Sequence, residues 1–278
     1  MCIRFIWSFL YLGGTYRAAL ELHQIPPAIQ IPLLIAVGFL AGFLNTVAGG
    51  GTLISMPMLI FMGLPGTVAN ATNRVAILSQ NLFAVAGFRS KGVKIPFPYT
   101  FYLCIVSLIG GLIGARLAVN IPDQLFNRIL AIVMVAVVVA TVRQHTRKKK
   151  EEPVEDLSRG KQVLGVFLFF LLGIYGGFLQ AGIGFMVIAL LTWVNHFSLI
   201  KTNYIKVFAA LLYTGVAIVV FAFENKIDWG MGITLAVGQG LGGWVASRWS
   251  AGRGEIWIRR ILVVAVVGMA IKLWFFTS

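Results

Sequence analysis

Apolar positions in this chain gather into ten runs, near residues 31–48, 52–62, 68–88, 99–119 and 126–142, then 163–181, 184–197, 203–223, 229–247 and 256–275. A helical run of about 20 apolar residues matches the hydrocarbon thickness of a bilayer. Helices also satisfy their own backbone groups where water is absent. The pattern therefore predicts an all-α polytopic membrane protein. Between the fifth and sixth runs, Arg143 to Lys161 carries Arg147, Lys148, Lys149 and Lys150 followed by Glu151, Glu152, Glu155 and Asp156, a stretch too charged to bury. The expected organisation is an N-terminal interfacial or marginal helix over 1–28, a first membrane repeat over 29–142, a charged cytoplasmic linker over 143–161 and a second membrane repeat over 162–278. The apolar run from Phe5 to Leu12 is short for a spanning helix; a cleaved signal peptide is its alternative reading.

The two sets of runs carry a weak repeat. Gly38 to Asn45 falls on Gly173 to Gln180, Thr72-Asn73 on Thr202-Asn203, Lys94-Ile95 on Lys226-Ile227, Gly110 and Gly114 on Gly238 and Gly242, and Arg128-Ile129-Leu130 on Arg260-Ile261-Leu262. Lys and Arg in short loops mark the cytoplasmic side. With the linker inside, Arg89, Lys91 and Lys94, then Lys201 and Lys206, then Arg248, Arg253, Arg259 and Arg260 all fall on the same side. Asn120 to Asn127 and Glu224 to Asp228 fall outside, as does the C-terminus. That count requires an odd number of crossings per half, so equivalent segments run in opposite directions, as in inverted-repeat transporters.

An odd count leaves the first two runs of each half as a hairpin that enters and leaves on one face. Runs 52–62 and 184–197 are too short to span, and Gly49-Gly50-Gly51 and Gly182-Ile183-Gly184 stand at the bends. Each repeat is thus expected to be a re-entrant or broken helical hairpin plus three spanning helices, with the two Gly-rich tips meeting near the midplane. Non-helical backbone at that depth is tolerated only where it is buried in protein or lines a polar cavity. The second arms, starting at Thr52 and Phe185, would aim free N–H groups and positive dipole ends at the protein centre. Two such ends would bind an anion without burying a formal positive charge. The competing reading is that these glycines serve only turns and close packing, the role assigned to Gly110, Gly114, Gly238 and Gly242.

Polar residues beside the tips complete the candidate site: Asn45, Thr46 and Thr52 at the first, Gln180 at the second. Thr72-Asn73 and Thr202-Asn203 read either as helix caps or as a wall of the site. Arg74, inside an apolar run, reads as an anion contact or as a side chain snorkelling to the headgroups. Gln80, Asn81 and Gln239 read as helix glue or ligand contacts, and Arg116 and His196 as interfacial anchors.

Composition narrows the function. Hydrophobic residues make up 59% of the 278 positions and charged residues 12%, which points to the bilayer as solvent. The net charge of +14 lies in loops between apolar runs, so no nucleic-acid partner is expected. Two cysteines exclude a disulfide framework or thiolate metal site. None of the nine acidic residues lies mid-run, which argues against a carboxylate proton relay and a cation path. There is no phosphate-binding loop, HExxH or paired-carboxylate arrangement, so neither an enzyme nor a cofactor is expected.

Gly38 to Pro57, through Gly42, Asn45 and Gly49-Gly50-Gly51, followed by Gly63-Leu64-Pro65, Ala69 to Asn73, Gly110 to Leu117 and Gly238 to Gly243, resembles the TauE/SafE sulfite exporter family. The resemblance implies an exporter of sulfite or organosulfonates such as sulfoacetate, in a bacterial-type cytoplasmic (inner) membrane. The second half departs from the first: Gly50 and Gly51 correspond to Phe185 and Met186, and Arg74 to Tyr204, which makes a two-sided site asymmetric. The expected partners are a small anion, the lipid bilayer and a second copy in a homodimer, with the coupling ion unassigned. The candidate binding set is Asn45, Thr46, Gly49, Gly50, Gly51, Thr52, Thr72, Asn73, Arg74, Gln180, Gly182, Gly184, Thr202 and Asn203. A passive anion channel or a non-transporting scaffold subunit are the alternatives; channel-like currents would mark the first, a dry centre the second.

Overall fold

A computed structural model describes residues 26–143 and 155–253. The expectations for the N-terminal helix, for most of the central linker and for the run at 256–275 lie outside these residues. Among the described residues nine α-helices follow in order: α1 (Pro27–Val47), α2 (Thr52–Phe61), α3 (Gly66–Ser90), α4 (Phe97–Val119), α5 (Asp123–Arg143), α6 (Arg159–Phe178), α7 (Ile183–Val194), α8 (Leu199–Phe223) and α9 (Trp229–Arg253). No strand occurs among the described residues. Among the described residues four helices, α1, α4, α6 and α8, are long and apolar enough to cross a membrane. Helices α2 and α7 are short, with 10 and 12 residues, as their runs predicted.

Local chemistry sets the boundaries. Proline stands just before or at the start of α1, α3, α4 and α5, where its fixed φ suits a helix start and its missing N–H is not needed. Ser198 caps α8 by accepting from the Lys201 N–H, and Asp228 caps α9 by accepting from the Met231 N–H at 2.9 Å. The first turn of α3 is capped by a different helix: Asp123 Oδ1, on α5, accepts from the Thr67 N–H at 2.9 Å and its hydroxyl at 2.7 Å. A turn without a positive φ would not close α1 onto α2; Gly49 supplies φ +88°. The matching turn between α6 and α7 uses Gly182 at φ +71°, and Gln180 at +62°.

Packing crosses between the halves. Helix α1 lies against α9, α6 against α4, and the long α3 and α8 pack on each other and on α9 and α4 respectively. The repeated glycines make these contacts. A Cβ on Gly38 or Gly42 would fall 2.7 and 2.3 Å from the backbone of Leu235 and Gln239, while one on Gly238 or Gly242 would meet Ile35 and Phe39 at 2.1 and 2.2 Å. In the other pair, Gly110 and Gly114 press on Phe170 and Ile174, and Gly173 and Gly177 press on Ser107 and Gly111. The packing role expected for Gly110, Gly114, Gly238 and Gly242 is thus realised, each against the first helix of the opposite half.

The outer faces repeat as well. Ile105, Ile109, Ile113 and Leu117 form an exposed stripe on α4, and Ile233, Val237, Leu241 and Val245 form its counterpart on α9. Spacing by four places each set on one helix face. Such an apolar exterior is stable only against lipid.

Candidate functional site

Two helices end inside the protein, α1 at Val47 and α6 at Phe178, and each restarts after four residues. The two breaks touch. A Cβ on Gly49 would lie 2.5 Å from Gly184 Cα, and one on Gly184 would lie 2.3 Å from Gly49 Cα, so the backbones meet with no room for a side chain. The expected meeting of the tips is therefore present. One boundary moves: the second arm starts at Ile183, with Gly182 as its N-cap, rather than at Phe185. The left-handed turn at Gly182 finishes the reversal sooner than the sequence spacing suggested.

A helix that ends in the interior leaves its last carbonyls without intrahelical partners, and each unpaired group costs several kcal/mol in hydrocarbon. Here both ends are clamped in the same way from the opposite half. At α6, Arg74 donates from Nη1 to the Gly176 carbonyl at 2.9 Å and from Nη2 to the Gly177 carbonyl at 2.6 Å, while Asn70 Nδ2 donates to the Phe178 carbonyl at 2.9 Å. At α1, Lys206 Nζ donates to the Asn45 and Thr46 carbonyls at 2.9 and 3.0 Å, and Asn203 Nδ2 donates to the Val47 carbonyl at 3.0 Å. In each clamp the amide oxygen accepts from the cation, Asn70 Oδ1 from Arg74 at 3.4 Å and Asn203 Oδ1 from Lys206 at 2.8 Å. The negative dipole end of each helix thereby receives a positive charge.

This geometry revises the repeat register of the long helices. Asn70 and Asn203 each stand four positions after the start of their 25-residue helices, so Asn203 corresponds to Asn70 and not to Asn73. It also revises the reading of Lys206. The sequence assigned it to a cytoplasmic loop, yet it lies within α8 and is 6% exposed. The signal was present, since a lysine inside the 203–223 apolar run is as costly as an arginine inside 68–88. Arg74 does not snorkel; it is fully buried, with its guanidinium 5.0 Å from the Phe221 ring centroid.

At the meeting point lies a cavity of about 20 Å³, lined by Asn45, Thr52, Gln80, Asn81, Gln180, Gly184 and Lys206 with Ile77, Ile183, Ala210 and Tyr213. That volume holds about one water. Asn45 Nδ2 donates to Gln80 Oε1 at 2.9 Å, and Gln80 Nε2 to Asn81 Oδ1 at 3.3 Å. Gln180 Nε2 donates to the Thr214 hydroxyl at 2.8 Å. Asn81 Nδ2 and Gln180 Oε1 are buried and find no hydrogen-bond partner among the described residues. Among the described residues no carboxylate lines the cavity.

Of the expected site residues, Asn45, Thr52, Gln180 and Gly184 line this space, Gly49 touches Gly184 without lining it, and Gly51 packs on Ala41 of α1. Gly50 is buried in the first turn and Gly182 shapes the second. Thr72 accepts from the Asp228 N–H at the start of α9, and Asn73 accepts from Gln239 Nε2 at 3.2 Å. Thr46 and Thr202 are buried with hydroxyls that find no protein partner. Asn203 and Arg74 serve the helix ends. Lys206, absent from the expected set, also lines this space and adds a buried basic side chain that the expectation did not include.

Three relatives named as probable membrane transporter proteins align with nearly the full chain. One, designated ORF9, from Sinorhizobium sp, is 27% identical over 87% of this chain and 92% of its own length. Another, from Haemophilus influenzae, is 27% identical over 87% and 94%. YfcA of Escherichia coli K12 is 28% identical over 91% and 92%. No solved structure matches. Residues 34–273 match the family described as sulfite exporter TauE/SafE, and this chain is a membrane transporter belonging to that family.

Proposed function

We propose that this transporter carries a small sulfur oxyanion, sulfite or a short organosulfonate such as sulfoacetate, out of the cell through the cavity where the two helix breaks meet. The cavity carries the reading: among the described residues its polar lining is made of amides, the hydroxyl-bearing Thr52 and Tyr213 and one ammonium, with no carboxylate to repel an anion. Helices α2 and α7 both begin beside it, and their free N–H groups favour negative charge. Asn45, Thr52, Gln80, Asn81 and Gln180 are the side chains that contact the substrate in this reading. An oxyanion is larger than the one water the space admits, so loading requires the wall to move. Rocking of one half on the other about the Gly49–Gly184 contact supplies that motion and exposes the site to each side in turn.

In the same proposal, residues 29–142 and 162–278 are inverted repeats in an inner membrane, the linker at 143–161 is cytoplasmic, and the C-terminus is outside. Cysteines introduced at Pro122 and Lys226 are then labelled only from the external face; cytoplasmic labelling of either refutes the topology. The substrate assignment is tested by flux into proteoliposomes across sulfite, thiosulfate, sulfate and sulfoacetate. Saturable transport of sulfite or sulfoacetate in preference to sulfate is the expected result, and absence of flux for all four removes the proposal.

A further inference from the structure

Among the described residues two cations, Arg74 and Lys206, are buried, and the repeat gives both the same structural task, yet only Lys206 reaches the cavity. Arg74 directs its hydrogen bonds to the end of α6 and lies over Phe221, away from the cavity lining. Lys206 lines the cavity itself. Its ammonium has three protons, and they go to the carbonyls of Asn45 and Thr46 at the end of α1 and to Asn203 Oδ1 on its own helix α8. Among the described residues neither cation has a carboxylate partner, since the ion pairs are Lys161–Asp156 and Lys201–Glu155.

The same cavity holds two polar atoms that lack a protein partner. Asn81 Nδ2, 1% exposed as a residue, is a donor with nothing to donate to. Gln180 Oε1 is likewise unpaired, while its amide nitrogen is bonded to Thr214. A flip of this amide lets the Thr214 hydroxyl donate to Oε1 and frees Nε2 as a second donor. One ammonium and two amide donors around a space without a carboxylate make a set suited to an anion bearing several oxygens.

We propose that Lys206 is the cationic substrate-binding residue, its ammonium shared between the carbonyl end of α1 and the anion, whereas Arg74 clamps the end of α6 and never contacts substrate. This rests on reading the cavity as an anion site. It makes the two breaks unequal: an anion competes with the Asn45 and Thr46 carbonyls for the ammonium and loosens the end of α1, while the end of α6 stays held.

The test is concentration-dependent uptake of sulfite, thiosulfate, sulfate and sulfoacetate into proteoliposomes bearing the full chain, compared across variants, with Tm measured in detergent. Glutamine in Lys206→Gln keeps N–H donors for the carbonyls of α1 but removes the charge. It is expected to raise KM about tenfold or more, as loss of a charge-assisted hydrogen bond does, while Lys206→Arg stays within about threefold of wild type. Asn81→Asp sets a carboxylate on the same cavity without changing size and is expected to raise KM by about tenfold or more as well. Arg74→Gln lowers Tm with KM unchanged. An unchanged KM in Lys206→Gln, or a raised KM in Arg74→Gln, overturns the assignment. Should Lys206→Gln fail to fold, Asn81→Asp decides, and an unchanged KM there overturns it. A wild-type protein that moves none of the four anions overturns the anion reading itself; wild-type flux with unshifted variants overturns only the role of Lys206.

Discussion

The break in α1 and the break in α6 solve one problem with different cations. Both expose the last three carbonyls of a helix in the protein interior, and both receive an asparagine and a positive charge from the long helix of the opposite half. Arginine delivers two parallel donors from a flat group that stacks on an aromatic ring, so it suits a permanent, buried clamp. Lysine delivers a compact point charge on a flexible stem, and it is the one placed on the cavity. The difference teaches that one hydrogen-bonding task, holding a broken helix end, can be met by a rigid cation at one break and a flexible one at the other.

The comparison breaks most severely at the shared contact. Gly49→Ala and Gly184→Ala each drive a Cβ into the opposing backbone at 2.5 Å or less, and Gly49 also carries φ +88°. Either is expected to cost roughly 3 kcal/mol or more and to abolish recovery of folded protein, read as the yield of monodisperse material after detergent extraction. Next, Arg74→Leu strands two carbonyls at the end of α6 and should cost about 2–4 kcal/mol, seen as a lowered Tm. A Tm equal to wild type would mean that water replaces the clamp.

Asn70→Leu and Asn203→Leu sharpen the symmetry. Each strands one carbonyl and releases one cation, so both should cost about 1–2 kcal/mol, and by similar amounts. A large cost in one and none in the other would show that the shared wiring is not shared energetics. The smallest effect belongs to the Lys201–Glu155 pair, both side chains of which are about a third exposed. Glu155→Gln is expected to change stability by less than ~0.5 kcal/mol and to become silent in high salt.

Much of the architecture was legible in hydropathy. Run lengths separated long helices from the short α2 and α7, and Gly49 and Gly184 marked where the tips meet. The repeat blocks were legible as similarity but not as contact: Gly38 and Gly42 match Gly173 and Gly177 in sequence, yet their partners are on α9 and α4. Similar residues occupy corresponding places, and no sequence comparison within the chain says which surfaces face each other. Arg74 stood out because it follows a polar pair inside an apolar run. Lys206 did not, because five residues earlier Lys201 looked like the end of a loop, and the boundary of α8 was drawn too late by four residues. The clamps were illegible because their acceptors are backbone carbonyls, which every residue carries.

The crossed pairing of helices has a consequence for synthesis. Gly38 and Gly42 on α1 fit against Leu235 and Gln239 on α9, some 200 residues downstream in the chain. At a ribosomal rate of roughly 5–20 residues per second, α1 waits on the order of 10–40 seconds in the membrane before its partner exists. During that interval its glycine face is open to lipid or to chaperoning by the insertion machinery. The packing of α1 is complete only once α9 has been made.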